Sequence, residues 1–361
     1  MKYVWLLVFS TIVPFEWRAT DAARILAIFP TPLKSHQIVF RAFVEELLRN
    51  GHQLTVMTPN PIETCNPNIT QIDWSIAYKV IEQDSDVARA TQEQWSSLRV
   101  AEQVLFVVQL FTETQLSHPA VQALIENRQS NHFDAVIVEY FQMTPFYAFA
   151  ELFNAPLIGI TSIDTVAMAH AAVGNVANVV AHPEVHLKFS VARNFYHRLV
   201  AFLNMLFVDF YLIPREFEKY DQLIEYHFGS NMTKSKQLMN RVDFLMVNTE
   251  PALGFIRPIV PQSIQLGCLH IKPPQPLGGE LQQYLDNSRH GVIYFSLGSF
   301  IRTASLTKKN TELFVSVFKS LKYNVLWKCD SEIDLDGAPN VRLMSWLPQQ
   351  DVLGKFYFCY N

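Results

Sequence analysis

The sequence predicts an α/β protein with two parallel-sheet domains. Short apolar segments of strand length alternate with longer segments whose apolar residues recur at helical spacing, in both halves of the chain. Strand, helix, strand order predicts parallel sheets with right-handed crossovers. A proline-rich passage at residues 271–279 separates the halves and is typical of an extended linker. The length of 361 residues agrees with about two domains.

The first domain is expected to occupy residues 23–270. It opens with a strand, the turn signal Pro30-Thr31-Pro32 and an amphipathic helix that Asn50-Gly51 closes. Its strands are predicted at 24–29, 53–57, 133–138, 156–160 and 243–247. Helices are predicted at 145–153, within 82–116, and over 194–229 with an interruption at Pro214.

The second domain is expected to occupy residues 280–361. Helices are predicted at 280–286 and 306–321, and strands at 291–295, 324–327 and 341–344. Roughly 80 residues follow the linker, whereas a doubly wound domain needs about 100 or more. We therefore expect this domain to be incomplete.

Composition excludes two broad classes of protein. A hydrophobic fraction of 49% with 17% charged residues is that of a globular chain with large cores, not of a disordered one. The net charge of −4, without a basic cluster, predicts no nucleic-acid binding. Four scattered cysteines without a Cys-x-x-Cys pair argue against a zinc site or a disulfide framework, although one bridge is compatible with them.

The N-terminus predicts a secretory signal at residues 1–22. One positive charge, Lys2, precedes an apolar stretch at 3–13 that is too short to span a bilayer, and the small pair Ala22-Ala23 offers a cleavage site. The alternative is a buried first strand. Two sequons, at Asn68 and Asn231, agree with glycosylation in the endoplasmic reticulum lumen or during secretion.

The most apolar later segment is residues 199–213. It is short for a membrane span and carries Asn204 and Asp209, so a buried or surface-lying amphipathic helix is the better interpretation. We expect no transmembrane anchor in this chain, and a mature protein that is soluble or contacts the membrane peripherally.

Two residues at strand ends are candidates for acid–base chemistry. His36 follows the first strand and begins the first helix, a place that faces the ligand crevice of an open α/β sheet. The partial positive charge of a helix N-terminus favours neutral imidazole, as a general base requires. Glu139 follows the strand at 133–138 and could orient the imidazole. The alternatives are a polar cap residue and a solvated acid.

Two loops of the second half could hold a nucleotide. Ser296-Leu297-Gly298-Ser299 follows a strand, and its small residues allow backbone N–H groups to approach a phosphate. Trp346 offers a face on which a base can stack, and Gln349 can both donate and accept hydrogen bonds. An ordinary strand-to-helix loop and a tryptophan that fills the core are the alternatives.

Specific phrases resemble the UDP-glycosyltransferase family, the eukaryotic glucuronosyl- and glucosyltransferases of detoxification, in an arthropod-like style. The phrases are Ser35-His36-Gln37, then RNGHQLTV at 49–56, GVIYFSLGS at 291–299 and NVRLMSWLPQQDVLG at 340–354. The resemblance covers nearly the whole mature chain. It implies a GT-B fold, in which two Rossmann-like domains face each other, the first holding the acceptor and the second the UDP-sugar.

The resemblance also implies roles for the candidate residues. His36 matches the family's catalytic base, and Glu139 falls where many members carry its aspartate partner. Trp346 matches the uracil-stacking residue and Gln349 a nucleotide contact. The residues at the phosphate side are Ser296, Gly298 and Ser299. The implied reaction transfers a hexose from UDP-sugar to a hydroxyl of a small lipophilic acceptor, with inversion, with UDP-sugar as co-substrate and no metal or cofactor.

In relatives the last phrase continues into a His-Gly-Gly turn, a glutamate and an Asp-Gln pair that hold the diphosphate, ribose and sugar, whereas residues 355–361 differ here. We therefore expect a C-terminally truncated member that binds lipophilic acceptors and turns over UDP-sugar slowly or not at all. The alternative is an inactive lumenal binding or regulatory chain, which forms a dimer with itself or with full-length relatives.

Overall fold

The structure is a computed structural model that describes residues 22–84, 95–184, 186–253, 256–298 and 306–355. Within these residues the strands form one sheet of seven and one of three, and every neighbouring pair is parallel. The larger sheet has the order β3-β2-β1-β4-β5-β6-β7 and the smaller one β10-β9-β8. The strands are β1 Arg24–Ile28, β2 Gln53–Thr58, β3 Ile69–Asp73, β4 Ala135–Glu139, β5 Leu157–Thr161, β6 Phe244–Val247, β7 Ser263–Gln265, β8 Val292–Ser296, β9 Asn324–Lys328 and β10 Val341–Met344.

The helices connect the strands and cover both faces of the larger sheet. They are α1 Lys34–Arg49, α2 Ile76–Asp84, α3 Ser97–Leu116, α4 Pro119–Glu126, α5 Ala148–Leu152, α6 Ala167–Ala172, α7 Phe195–Phe207, α8 Ile213–Phe228, α9 Ser235–Met239, α10 Gly279–Asp286, α11 Lys308–Lys319 and α12 Gln349–Lys355. Short 3₁₀ helices lie at Arg128–Ser130 and Thr144–Tyr147, and a π-helical turn at Val208–Leu212 joins α7 to α8.

The central strands of the larger sheet are buried on both faces, which explains their continuous apolar sequences. Ile25 and Ala27 of β1 face one cluster, in which Phe40 of α1 packs. Leu26 and Ile28 face the other, which α3 and α8 cover. The alternation of side chains along β1 thus supplies two cores from one strand.

The smaller sheet has its own core around Trp327 of β9, which is completely buried. Its ring lies edge-on to Phe318 of α11 and to Phe295 of β8, with centroid distances of 5.5 Å in both pairs. Such edge-to-face packing adds to the apolar area that the ring buries.

The connection between the sheets is extended and packs on α12. Asp351 accepts a hydrogen bond from the backbone N–H of Gln275, and Gln350 accepts one from that of Lys272. Pro274 lies so close to Gly354 that a Cβ there would be 2.4 Å from the proline Cβ. The glycine therefore permits close contact between linker and helix.

Two edge strands and several short helices were not predicted, and one predicted interruption of a helix is absent from the described residues. Local patterning did not predict β3 and β7, which are the two edge strands of the larger sheet and are short and partly polar. The region 194–229 is one continuous helix over Phe195–Phe228 rather than two helices separated at Pro214. The proline falls in the first turn after the π-helical segment, where its missing N–H is tolerated.

Candidate active site

His36 and Glu139 meet at the carboxyl edge of the larger sheet. His36 lies in the first turn of α1, which follows β1, and Glu139 ends β4, the strand that pairs with β1. Parallel pairing brings the two strand ends together, and His36 Nδ1 lies 2.7 Å from Glu139 Oε1. The two residues are 8% and 2% exposed. The two side chains therefore meet as expected, while their catalytic roles stay a prediction.

The imidazole does not cap its helix. Leu33 occupies the cap position of α1 and makes no side-chain cap bond, while the His36 ring turns to Glu139 instead. A carboxylate oxygen accepts hydrogen bonds, so we assign the proton to Nδ1, which leaves the Nε2 lone pair available to take another proton. Phe141 lies edge-on to the imidazole at a centroid distance of 6.4 Å.

A cavity of about 480 Å³ begins beside Phe141. Its apolar wall includes Ile163, Val166, Leu187 and Phe189. The volume lies within the range of roughly 300–1,000 Å³ that is typical of small-molecule sites. This cavity was not predicted, because most of its lining comes from irregular segments that carry no local pattern.

One wall of this cavity is held by a chain of partly buried polar contacts. His170 Nε2 lies 3.0 Å from Asp164 Oδ1, and Asn175 Nδ2 donates to His170 Nδ1 over 3.1 Å. The Arg257 guanidinium donates to the other Asp164 oxygen. Burial alone would raise the pKa of the Asp164 carboxyl, but the hydrogen bond from His170 and the charge of Arg257 outweigh it and lower that pKa.

Glu184 also lines the cavity and behaves in the opposite way. Burial raises the pKa of its carboxyl, although its Oε1 accepts a hydrogen bond from the backbone N–H of Ala167 over 3.0 Å. The wall of the cavity thus carries two carboxyl groups, Asp164 and Glu184, whose pKa values shift in opposite directions.

On the other side of the cleft, Trp346 is 63% exposed, so it does not fill the core. Two lysines flank its ring: Lys34 of α1 at 5.8 Å and Lys328 of β9 at 5.4 Å, measured from Nζ to the ring centroid. Because Lys34 belongs to the first half of the chain, the two halves meet at this indole. A base stacked there would lie close to the strand edge that carries His36.

The loop after β8 is organised by local hydrogen bonds. Gly298 adopts a φ of +84°, which favours glycine, and its N–H donates to Ser296 Oγ over 3.2 Å. Lys328 Nζ donates to the Gly298 carbonyl over 2.9 Å. The N–H expected to approach a phosphate is therefore engaged within the loop. Ser299 lies outside the described residues.

Gln349 begins α12 and is exposed, and its Oε1 accepts a hydrogen bond from the Tyr294 hydroxyl over 3.0 Å. Its role as a nucleotide contact stays a prediction. Lys328, a positively charged side chain next to Trp346, was not predicted. Its place at the end of β9, facing the same edge as the other candidates, is the signal that could have identified it.

The predicted glycosylation sites lie on the surface of the larger domain. Asn231 is exposed, and Asn68, which directly precedes β3, is half-buried. Residues 1–21, which include most of the predicted signal, lie outside the described residues, as do residues 356–361. Of the cysteines in the described part, Cys65, Cys268 and Cys329 are unpaired.

The family profile described as "UDP-glucoronosyl and UDP-glucosyl transferase" matches residues 24–356, nearly the whole described chain. The chain belongs to this family. The predicted resemblance is therefore confirmed. A UDP-glucosyltransferase 2 from Dactylopius coccus is 30% identical over 339 residues, which make up 93% of this chain and 64% of the relative. An ecdysteroid UDP-glucosyltransferase from Spodoptera littoralis nuclear polyhedrosis virus is 31% identical over 361 residues, 93% of this chain and 68% of the relative.

Solved structures of glycosyltransferases share the fold of this family member. CalG4, the calicheamicin glycosyltransferase, matches 92% of this chain and 72% of its own with a TM-score of 0.53 at 16% identity. Medicago truncatula UGT71G1 complexed with UDP-glucose matches 92% of this chain and 73% of its own with a TM-score of 0.53 at 14% identity. The GT-B prediction is thus confirmed. The chain spans about two thirds of the length of the curated relatives that it matches.

Proposed function

We propose that this chain acts as a UDP-glycosyltransferase that transfers a hexose from UDP-sugar to a hydroxyl of a small lipophilic acceptor, with inversion. The observation that carries the proposal is the buried His36–Glu139 pair, with Nδ1 and Oε1 2.7 Å apart at the strand edge that faces the exposed indole of Trp346. Family membership supports the same reaction.

In the proposed reaction, His36 Nε2 takes the proton from the acceptor hydroxyl. The oxygen attacks the anomeric carbon while the bond from that carbon to the UDP oxygen breaks, and UDP leaves with the electron pair from the opposite face. A single displacement of this kind inverts the anomeric centre. Glu139, bonded to Nδ1, holds the ring in the required tautomer and stabilises the charge that the imidazole gains.

The proposed donor side uses the smaller domain. Trp346 would stack on uracil, Gln349 would contact the nucleotide, and the loop of Ser296 and Gly298 together with Lys328 would lie near the diphosphate. Two relatives are named as UDP-glucosyltransferases, which supports glucose as the sugar. Lysines near a departing diphosphate stabilise its developing charge.

The proposed acceptor occupies the cavity of about 480 Å³ beside Phe141. Its apolar lining favours a lipophilic molecule, and the adjacent His36 requires that molecule to carry a hydroxyl. The relatives named as ecdysteroid UDP-glucosyltransferases support a hydroxylated compound of about steroid size.

We also propose peripheral contact with a lipid membrane through α7. Its inner face buries Ala201 and Asn204, whereas an outward stripe of apolar side chains is exposed. The stripe consists of Phe195, Leu199, Phe202, Leu203 and, beyond the helix, Phe210. By length and composition, the continuous helix Phe195–Phe228 is able to cross a membrane. Its second half, Ile213–Phe228, carries several charged side chains, which favours a position on the membrane surface over insertion.

The surroundings of this stripe favour an anionic surface. Lys188, Arg193 and Arg198 are exposed near the start of α7 on a chain whose net charge is −4. Phe189, which lines the cavity, stacks on His197 of α7 at a centroid distance of 4.3 Å. Docking of α7 would therefore place the cavity at the lipid surface, where lipophilic acceptors concentrate.

Vesicle sedimentation tests this contact. Vesicles with phosphatidylserine should retain the protein better than neutral vesicles, and Phe202→Asp should abolish retention. The matched control is Leu313→Asp, which changes an exposed leucine of α11. Equal retention of both variants would refute the role of α7.

Sequons and the predicted signal support a lumenal or secreted location and glycosylation at Asn68 and Asn231. Expression in insect cells, followed by treatment with peptide N-glycosidase, tests this. The treatment should reduce the apparent mass, and in Asn231→Gln this reduction should be smaller by the mass of one glycan. An unchanged mass would exclude modification at both sites.

Incubation of the purified chain with UDP-glucose and hydroxylated steroids or phenols, with detection of UDP and of the glycoside, tests the catalytic proposal. The product should have the anomeric configuration opposite to that of the donor, and His36→Ala should lower the rate by about 100-fold or more. The matched control is His132→Ala. It changes an exposed histidine that pairs with Asp134 just before β4, at the opposite edge of the sheet, and should leave the rate within about twofold.

A rate that survives His36→Ala would refute the proposal. A wild-type chain that binds acceptors without turnover would instead favour the binding or regulatory role. Co-purification with a longer relative, as a mixed dimer, would then support that role.

A further inference from the structure

The loop that connects β1 to α1 is held by buried side-chain amides. Gln37 of α1 donates both N–H groups of its amide, to the carbonyl of Phe29 over 3.0 Å and to that of Thr31 over 2.8 Å. Gln115 of α3 donates to the carbonyl between them, that of Pro30, over 2.7 Å. Three consecutive backbone carbonyls are thus fixed by two glutamines, one of them 85 residues away in sequence.

The orientation of the Gln37 amide is determined by its partners. Both contacts of its nitrogen are carbonyl oxygens, which can only accept, and its own oxygen accepts from the Thr58 hydroxyl at the end of β2 over 2.8 Å. Gln37 and Thr58 are both buried. The amide therefore has all its hydrogen-bonding groups in use, and a flip would break three bonds.

This loop orients the carboxylate of the proposed dyad. The backbone N–H of Thr31 donates to Glu139 Oε2 over 3.0 Å, while Glu139 Oε1 contacts His36 Nδ1. The Thr31 N–H belongs to the same planar peptide group as the Pro30 carbonyl, which Gln115 holds, and Gln37 holds the carbonyls of the two flanking peptide groups. A continuous series of hydrogen bonds therefore runs from Thr58 through Gln37 and the loop to Glu139 and His36.

Gln115 indicates that these hydrogen bonds to the β1–α1 loop do more than stabilise the fold. Its side chain is completely buried, and its amide oxygen has no hydrogen-bond partner among the described residues. An apolar side chain would avoid the loss of hydration that this oxygen suffers, although it would release the Pro30 carbonyl. A buried polar group of this kind calls for an explanation, and its hydrogen bond to the Pro30 carbonyl supplies one.

We propose that Gln37 and Gln115 are positioning residues for the His36–Glu139 pair. They touch no reacting atom. They hold the β1–α1 loop so that the Thr31 N–H occupies one oxygen of Glu139 and aims the other at the imidazole. The chemistry that the pair performs rests on the proposed function, whereas the positioning is a property of the folded chain and can be measured without turnover.

The experiment compares Gln37→Leu with Gln71→Leu. Gln71 is a matched control because it also clamps a loop through both ends of its amide, donating to the Ile62 carbonyl over 2.8 Å and accepting from the Ile62 N–H over 2.7 Å. Within the described part of the chain, the hydrogen bonds given for Glu139 come from Thr31 and His36 and not from this second loop. Both variants lose a loop clamp, so a purely structural effect should appear in both.

The first readout is the tautomer of His36, followed by ¹⁵N chemical shifts of the imidazole in the full chain. We expect the Nδ1–H form to dominate in the wild type and in Gln71→Leu, and its share to fall clearly in Gln37→Leu because Glu139 is no longer fixed. The second readout is kinetic. Gln37→Leu should lower kcat by roughly 10- to 100-fold while KM for UDP-glucose stays within about twofold.

An unchanged tautomer in Gln37→Leu, or equal losses in the two variants, would overturn the proposal. If the wild type shows no turnover, the tautomer readout still decides the positioning role, so failure of the proposed function is distinguishable. Should Gln37→Leu not fold, Thr58→Val replaces it. That variant keeps the glutamine but removes the donor to its oxygen, and it should shift the tautomer in the same direction by a smaller amount.

Discussion

The acceptor side and the donor side of the cleft differ in how their chemical groups are held. On the acceptor side His36 and Glu139 are buried and bonded to each other, and both oxygens of the carboxylate have partners. On the donor side Trp346 and Gln349 are exposed and lie where a nucleotide can reach them. One side is organised by the protein itself, while the other presents surfaces to a ligand.

This difference predicts which kinetic constant a substitution on each side of the cleft should change. Groups that are pre-organised for a proton transfer contribute to the barrier of the reaction, so their loss should reduce kcat. Groups that grip the donor equally in its ground and transition states should mainly affect KM. The two sides of the cleft are therefore expected to respond with different kinetic signatures.

The largest effect is expected at Glu139. Glu139→Ala should lower kcat by about 100-fold or more, because the imidazole loses the group that sets its tautomer and stabilises its charge. Steady-state kinetics with saturating UDP-glucose measures this. Asp134→Ala, which removes the exposed acid at the other end of β4, serves as control and should change kcat by less than about twofold. A Glu139→Ala variant with nearly full kcat would show that the buried pair is structural only.

Substitutions of the two tryptophans of the smaller domain should affect different properties, stability at Trp327 and donor binding at Trp346. Trp327→Ala should lower the free energy of unfolding of that domain by about 3–5 kcal/mol, because the ring fills its core. Trp346→Ala should change it by less than about 0.5 kcal/mol, since the indole is exposed. Urea unfolding followed by circular dichroism provides the comparison. Similar losses in the two variants would contradict an exposed, ligand-facing Trp346.

Trp346→Ala should raise KM for UDP-glucose by roughly 5- to 150-fold, which corresponds to the loss of about 1–3 kcal/mol of stacking on the base. Trp346→Phe should recover part of the affinity because it keeps an aromatic face. Initial rates over a range of UDP-glucose concentrations measure both. An unchanged KM together with a reduced kcat would show that the indole contributes to the chemical step and not to donor binding.

The smallest effect concerns the pH dependence of stability on the acceptor side. Burial raises the pKa of Glu184 above its ordinary value of 4.5, so the folded state binds the proton more tightly than the unfolded state. Between 4.5 and the raised pKa the folded state therefore holds more protons, and stability falls as pH rises through that window. Glu184→Gln should remove this decline in urea unfolding between pH 4 and pH 8.

The contribution of Asp164 to stability changes with pH in the opposite direction. Its pKa is lowered from the ordinary value of 3.8, so its contribution is present above that value and is lost as pH falls through the lowered pKa. Asp164→Asn should therefore flatten the acid limb of the stability curve and leave the decline above pH 4.5 in place. If both variants changed the same limb, the assignment of the two carboxyls to different electrostatic environments would be wrong.

Much of the acceptor side could be anticipated from particular residues. The strand at 24–29, the turn at Pro30 and the following helix indicated where His36 would lie, and the apolar run ending at Glu139 did the same for the acid. The cavity could not be anticipated, because its walls come from Phe141 after β4, from the mostly irregular segment between β5 and α7, and from Arg257. Loops of this kind carry no periodicity from which their path can be read.

The sequence by itself determined the parallel α/β class, the family and the strand-end positions of the candidate residues, because these depend on local periodicity and short phrases. The tertiary structure decided which strand ends meet. Only the placement of β4 beside β1 brings His36 within 2.7 Å of a carboxylate 103 positions away, and only the packing of α3 brings Gln115 onto the Pro30 carbonyl. Strand order and helix packing arise from burial of apolar area across the whole chain, a quantity that no local window of residues contains.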